Sequence, residues 1–282
     1  MANLTGSAAG RVAIVTGASR GIGVGIARRL ASEGAAVALV ARTTDPRPSL
    51  PGTLQETLSI IEAEGGRAAA VQADLIDPLD RARIVEQVEN ELGPVDILIN
   101  NAARAFFEPA QTISDKRTRL SFELNVLGPF DLMQRVIPGM QERGIGWILN
   151  ISSATSRMPQ GPPYRKFDQK RGVGTYSATK AALERMSLAL AAELYEDGIA
   201  VNTLAPAAAV MTEAVRQLGV VPNDPSVLEP IEVMAEAALA LCTNDPKIMT
   251  GRIAFSRELL EELKRPIRSL DGKTFYSKQN PD

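Results

Sequence analysis

The sequence predicts an α/β protein: one doubly wound parallel sheet with helices on both faces. Three observations carry this. Short apolar runs alternate with longer helical patterns from residue 12 to about 256. The runs are rich in Val, Ile and Leu with little polar alternation, as strands buried on both faces require. No linker-like shift in composition divides the chain, so strict β–α alternation gives a single sheet with right-handed crossovers.

Taken in order, RVAIVT (11–16) is the first strand, and the helix after it covers 21–33. VALVA (37–41) precedes a helix over 53–64, and AAAVQA (68–73) one over 78–92. VDILIN (95–100) leads into a long helix over 114–142, and WILNIS (147–152) into a helix over 174–196. IAVNTL (199–204) is followed by an irregular stretch, a helix over 230–243 and a last strand over 252–256. Three segments break the rhythm: 43–52 (TTDPRPSLPG), 154–173 and 206–229. Long loops in a compact domain are usually functional or disordered. All three leave from the carboxyl edge of the sheet, where open α/β sheets bind ligands, so they are lid candidates. The expected organisation is an extension over 1–10, the sheet domain over 11–256, and a surface helix and tail over 257–282. The end of that tail, 274–282, is expected to be partly disordered or packed on another subunit.

Composition narrows the chemistry mainly by what it lacks. Apolar content of 45% and a net charge of −2 suit an ordinary globular protein. They give no electrostatic footprint for nucleic acid or an anionic membrane. The sequence holds no histidine, which excludes Ser-His-Asp catalysis and His-ligated zinc. Cys242 is the only cysteine, so no intramolecular disulfide, thiolate cluster or other metal site is expected. Its place in the apolar run AALALC (237–242) marks an inert core thiol. The opening residues, MANLTGSAAGRVAIVTG, lack the charged start and long apolar core of a signal peptide. No apolar run reaches the roughly 18 residues that span a bilayer. A cytoplasmic location is the expectation.

Two stretches carry candidate chemistry. TGASRGIG (16–23) joins the first strand to the first helix. Gly17 can take backbone angles closed to other residues, and Gly21 and Gly23 allow close approach of a ligand and of the sheet. The new helix turns its free N–H groups and positive dipole end toward the turn, which suits a pyrophosphate. The spacing, TGxxxGxG, differs from the commoner GxGxxG. The second stretch, 157–180, holds Tyr164 and Tyr176. A phenol, with a pKa near about 10, is a poor acid–base group at neutral pH unless a cation stabilises phenolate. Lys180 lies four residues after Tyr176, on the same helix face. Asp168 lies four residues after Tyr164, which itself follows Gly-Pro-Pro, where no helix is expected. Tyr176 is therefore the acid–base candidate.

TGASRGIG, NNAA (100–103), LNVLGPF (124–130), NISS (150–153) and YSATK (176–180) occur in the order found in the short-chain dehydrogenase/reductase family. The sequence resembles that family over about residues 10–256. The resemblance implies a Rossmann fold and an NAD(P)-dependent oxidoreductase that interconverts an alcohol and a ketone or aldehyde by hydride transfer. It makes Tyr176 the general acid/base, with Lys180 lowering its pKa and bonding the nicotinamide ribose. Ser153, the second of the serine pair Ser152-Ser153, orients the carbonyl, and Asn125 holds a water in the proton relay. Taken alone, Ser153 reads as a strand-end hydroxyl and Asn125 as a polar residue in a helix. The implied cofactor contacts are Gly17, Ser19, Arg20, Gly21, Ile22, Gly23, Arg42, Asp74, Leu75, Asn101, Ala102, Pro206 and Thr212, besides Tyr176 and Lys180. Asp74 matches the acid that bonds the adenine amino group, although a helix-start or turn acid fits it equally. Asn100 is expected to tie the fourth strand to its neighbour.

NAD-binding folds usually carry an acid at the end of the second strand. Here Ala41 stands there, with Arg42 next and Arg20 in the Gly-rich turn. Arg pairs bidentately with phosphate, so NADP(H) is expected ahead of NAD(H); two solvated surface arginines are the alternative. The sequence departs from the family pattern at Ala103, at Ala207 and at Thr212, which lies one place beyond the usual threonine. Ser153 and Tyr176 are 23 residues apart, where the family has about a dozen. The extra residues can loop outward and reshape the substrate mouth.

The segment from residue 41 to 66 resembles hydroxysteroid-dehydrogenase-like proteins and citronellol-type dehydrogenases, implying an apolar terpenoid, steroid-like or aliphatic substrate. Phe106, Phe107, Met158, Met211, Leu218, Val220 and Val221 fall in the expected mouth. Two alternatives stay open. One is a 3-oxoacyl thioester reductase docked through Arg165, Lys166, Lys170 and Arg171. The other is a non-catalytic NADP-sensing scaffold. Leu183, Met186, Leu190 and Leu194 form an apolar stripe on the Tyr176 helix. In the family the matching helices pair between subunits, so a homodimer or homotetramer is expected, with core packing as the alternative use of that stripe.

Overall fold

The computed structural model of the chain describes residues 6–44, 51–164, 169, 172–210, 212 and 228–276. Seven parallel strands form the main sheet: β1 (Val12–Thr16), β2 (Ala36–Ala41), β3 (Arg67–Gln72), β4 (Ile97–Asn100), β5 (Gly146–Ile151), β6 (Ile199–Ala205) and β9 (Ile253–Phe255). Their spatial order is β3-β2-β1-β4-β5-β6-β9. The order reverses between β1 and β4, and in such sheets the crevice beyond the carboxyl ends at that point receives the ligand. A separate pair, β7 (Ala209–Val210) with β8 (Leu228–Glu229), closes the base of the 206–229 segment.

The helices are α1 (Gly21–Ser32), α2 (Leu54–Ala63), α3 (Pro78–Glu91), α4 (Asp115–Phe122), α5 (Gly128–Arg143), α6 (Gly174–Glu193), α7 (Ile231–Thr243) and α8 (Ser256–Glu262). Side chains alternate across the strands, as a pleat requires. Ala13 and Val15 of β1 face one core with Ile26, Leu30, Ile61, Met234 and Leu239. Val12 and Ile14 face the other, with Ile84, Val88, Leu132, Val136 and Leu194. Both faces of the sheet are thus covered, which is why its strands read as continuous apolar runs. Cys242 is buried in the first core, and burial pushes its thiol well above the usual range.

Several expectations need adjustment. The single helix expected over 114–142 is α4 and α5 joined by a π turn, Glu123–Leu127. The Gly128 N–H bonds the Glu123 carbonyl, five residues back. Pro129 has no N–H to offer the carbonyl of Asn125, so the α pattern fails just there. Part of the 1–10 extension is packed: Ala8 is fully buried, and Ser7 N–H donates to the Glu33 carboxylate at 2.8 Å. The surface helix expected after Phe255 buries Leu259 and Leu260. The tail begins by folding onto its own chain, with Arg268 and Phe275 forming an antiparallel bridge; residues 277–282 lie outside the described residues. Within the α6 stripe, Leu183 and Leu194 are buried in the chain itself, whereas Met186 and Leu190 stay half-buried. Among the described residues no helix is long and apolar enough to cross a membrane.

Candidate active site

The carboxyl ends of the strands open into one cleft of ≈ 2680 Å³. That exceeds the roughly 300–1,000 Å³ of a single small-ligand pocket, so it has room for a dinucleotide and a substrate together. Gly17, Ser19, Arg20, Gly21, Ile22, Arg42, Asp74, Leu75, Asn101, Ala102, Ser153, Tyr176, Lys180, Pro206 and Thr212 all line it. Gly23 and Asn125 stand just behind that lining.

At the nucleotide end, Gly21 has φ +58°, in the left-handed region that glycine tolerates. A Cβ on Gly23 would sit 2.4 Å from the Gly17 carbonyl oxygen, so only glycine lets α1 begin this close to β1. Arg20, at the N-cap of α1, makes no side-chain cap, which leaves the first-turn N–H groups turned to the cleft. A cradle of this shape, at the positive end of a helix, fits a pyrophosphate. Thr212 is folded over it: a Cβ on Gly21 would lie 3.1 Å from the Thr212 methyl. The arginines are partly engaged. Arg42, half-exposed, pairs loosely with Asp74 at 3.5 Å, while an Arg20 Nη donates to the Gly52 carbonyl at 2.9 Å. Asp74 also accepts from Ile76 N–H at 3.1 Å, so it serves as a turn acid in addition to facing the cleft.

Thr16, not singled out from the sequence, joins the two strand ends at the switch point. Its Oγ accepts from the N–H groups of Asn101 (2.9 Å) and Ala102 (3.0 Å) and donates to the Ile99 carbonyl (3.2 Å). Asn100 Nδ2 donates to Asn150 Oδ1 at 2.8 Å, linking β4 to β5.

At the reacting end, β5 and α6 bring Ser153 and Tyr176 together despite the long segment between them. Burial raises the Tyr176 phenol above its usual pKa, and the neighbouring Ser153 hydroxyl opposes that rise. The Tyr176 ring meets Phe107 edge-on, with centroids 5.9 Å apart. Lys180 is buried; its Nζ donates to the Ile151 carbonyl at 2.7 Å and lies 5.8 Å from the Tyr176 ring centre. Burial lowers the ammonium to about 8, with Glu184 pulling it upward. Lys180 is thus anchored on the backbone beside the Tyr176 ring.

Asn125 is fully buried in the π turn, and both its amide hydrogens are committed, to the Arg104 carbonyl (2.9 Å) and Thr179 Oγ1 (3.1 Å). Its Oδ1 accepts from Arg104 N–H at 2.9 Å. Thr179 in turn donates to the Tyr176 carbonyl at 2.7 Å. The Asn125 side chain thus clamps the loop after β4 to the Tyr176 helix.

Thr155 is the other residue that sequence reasoning passed over. Its N–H (3.2 Å) and its Oγ1 (3.0 Å) both donate to Ser153 Oγ. A hydroxyl has two acceptor sites and one hydrogen, so both acceptor sites are used and Ser153 keeps its hydrogen for the cleft. Thr155→Val is expected to lower kcat/KM about tenfold, the worth of about one misoriented hydrogen bond, while Thr155→Ser keeps most activity. Steady-state kinetics of the two variants checks this.

Of the expected mouth residues, Phe106, Phe107 and Met158 line the cleft. Met211, Leu218, Val220 and Val221 lie outside the described residues, as do Asp168 and the basic residues Arg165, Lys166, Lys170 and Arg171. Tyr164 is half-exposed and packs on Gly161 rather than on the cleft. The return of the 154–173 segment does reach the cleft, for a Cβ on Gly172 would sit 2.5 Å from the Glu108 backbone.

A doubly wound sheet with a Gly-rich turn at its switch point, and a Tyr–Lys pair beside a strand-end serine, brings the expected motifs into one cleft. The short chain dehydrogenase family model matches residues 11–220, and the chain belongs to that family. Among curated relatives, hydroxysteroid dehydrogenase-like protein 2 of Xenopus laevis is 33% identical over 95% of this chain. The match covers 61% of that relative, so the chain spans about three fifths of its length. A short chain dehydrogenase from Mycobacterium thermoresistibile superposes with a TM-score of 0.78 at 31% identity, covering 95% of this chain and 93% of that one. L-Sorbose reductase from Gluconobacter frateurii, complexed with NADPH and L-sorbose, gives 0.74 at 29%, covering 88% and 95%.

Proposed function

We propose that the protein interconverts an alcohol and a ketone or aldehyde by hydride transfer, with NADP(H) preferred over NAD(H) and an apolar body on the substrate. The single observation that carries this reading is Tyr176: a buried phenol beside Ser153, one helical turn from a buried lysine, in the cleft that begins at the phosphate cradle. NADP(H), when bound, supplies the hydride chemistry. Tyr176 gives or takes the proton of the substrate oxygen at its Oη. Ser153, its acceptor sites filled by Thr155, donates to that same oxygen and favours the developing charge. Lys180, in its charged form, steadies phenolate and reaches the nicotinamide ribose. Phe107 and Phe106 wall the mouth and exclude water from it.

The preference for a 2′-phosphate rests on Arg42 at the end of β2, where no carboxylate stands. Its exposed pairing with Asp74 is weak enough to be exchanged for a phosphate. Arg42→Asp is expected to lower the NADPH-to-NADH affinity ratio about tenfold to hundredfold, the range for charge-assisted hydrogen bonds. Fluorescence titration of both cofactors measures it. A cytoplasmic homodimer or homotetramer belongs to the same reading, supported by the half-buried Met186 and Leu190 on α6. Turnover of apolar alcohols and ketones with NADP(H) by the purified protein tests the reading as a whole. Tight cofactor binding with no turnover of any of them would favour a nucleotide-sensing role.

A further inference from the structure

We propose that Glu184 is a positioning residue that keeps Lys180 in its ammonium form, fixed as a counter-charge by Ser152 and Ser156. The proposal rests on the reading of Lys180 given above. Glu184 is one turn beyond Lys180 on α6, so both side chains lie on one helix face. Its carboxylate is buried and accepts from Ser152 Oγ at 2.5 Å, and Ser156 Oγ, 2.7 Å away, shares its one hydrogen between Glu184 and the Ser153 carbonyl at 2.8 Å. Ser152 and Ser153 are neighbours at the end of β5, and successive residues of an extended strand point to opposite faces. One strand end therefore turns Ser153 toward the phenol and holds the counter-charge through Ser152.

The need for such a charge follows from the burial of Lys180. Its only hydrogen-bond partner among the described residues is the neutral Ile151 carbonyl. A lysine buried without compensation titrates at about 5–6, and would be neutral where the protein works. Here burial brings it down only to about 8, with Glu184 acting in the opposite direction.

Among the described residues, the elements packed on α6 supply no rival. β5 and β6 hold no titratable residue. The turn after β5 contributes Thr155 and Ser156, and Arg157 beyond it turns to Glu258. In the π turn, Glu123 is taken by Arg81. On α4, Arg119 pairs with Asp115 and Arg117 with Glu108. On α6 itself Tyr176 is the other titratable neighbour of Lys180, and Arg185 is exposed.

Glu184→Gln keeps an acceptor oxygen for both serines and removes only the charge, whereas Glu184→Asp keeps the charge. The test needs neither substrate nor turnover. The ε-methylene resonance of Lys180 is followed by NMR against pH in cofactor-free protein carrying isotope-labelled lysine, assigned by its loss in Lys180→Met. The wild type is expected to titrate near about 8. The Gln variant should titrate at least about one pH unit lower, and the Asp variant close to the wild type. NADPH affinity, measured by fluorescence, should begin to fall at correspondingly lower pH in the Gln variant. An unchanged Lys180 midpoint in Glu184→Gln overturns the proposal, as does an Asp variant shifted as far as Gln. Should the Gln variant not fold, the wild type alone decides, because a midpoint at about 5–6 means no counter-charge acts on Lys180. Each result is independent of whether Tyr176 performs the acid–base step.

Discussion

Tyr176→Phe is expected to lower kcat by about a thousandfold, the usual contribution of a positioned general acid or base. NADPH affinity should stay close to that of the wild type. The substitution removes one oxygen and keeps the ring, so the edge-on contact with Phe107 persists and the start of α6 keeps its packing. Thr179 still bonds the Tyr176-position carbonyl, and Asn125 still bonds Thr179, so the loop after β4 stays clamped. Lys180 keeps its bond to the Ile151 carbonyl. What disappears is the phenol hydroxyl beside Ser153 in the cleft. Steady-state kinetics together with a cofactor titration separates loss of chemistry from loss of binding.

Arg29→Met is expected to destabilise the fold by about 3–5 kcal/mol, because it leaves a buried carboxylate short of its partner. Arg29 is almost fully buried; its Nε donates to Glu236 at 2.8 Å and its Nη1 pairs with Glu33 at 2.7 Å. Arg265 completes the group from the C-terminal side, 2.6 Å from the other oxygen of Glu236. The cluster pins α1, whose first turn lines the cleft, to α7. Replacing both Arg29 and Glu236 by Met is expected to recover part of the loss, since both fully buried charges go and the partners left over, Arg265 and Glu33, are partly exposed. Denaturant midpoints of the two single variants and the double variant check the sign and the recovery.

Much of the fold was legible because it depends on local pattern. The strands from Val12 to Phe255 announce themselves as apolar runs buried on both faces, and their observed bounds lie within a few residues of those expected. The π turn was not legible as a period. Its cause, Pro129 four residues after Asn125, stands in the sequence and is also compatible with an ordinary Pro at a helix start. In the site, TGASRGIG and YSATK were readable because their spacing already implies geometry: a strand-to-helix turn and two side chains one turn apart. Thr16 and Glu184 were not, since each acts on a partner that only the packed sheet brings near; Thr155 bonds Ser153 two residues back, in a turn that no spacing motif marks. Thr16 meets Asn101 across two strands, and Glu184 meets Ser152 across 32 residues of chain. Asn125 shows the opposite case: its position matched the family motif, while its side chain is committed to Arg104 and Thr179.

The most direct test of hydride transfer assisted by Tyr176 uses NADPH carrying deuterium at C4 and an apolar ketone, with the product analysed by mass spectrometry. The expected result is one deuterium on the new carbinol carbon with the wild type and almost none over the same time with Tyr176→Phe. Wild-type rates of deuterium transfer in Tyr176→Phe, or cofactor bound to the wild type with no transfer to any ketone, would contradict the account.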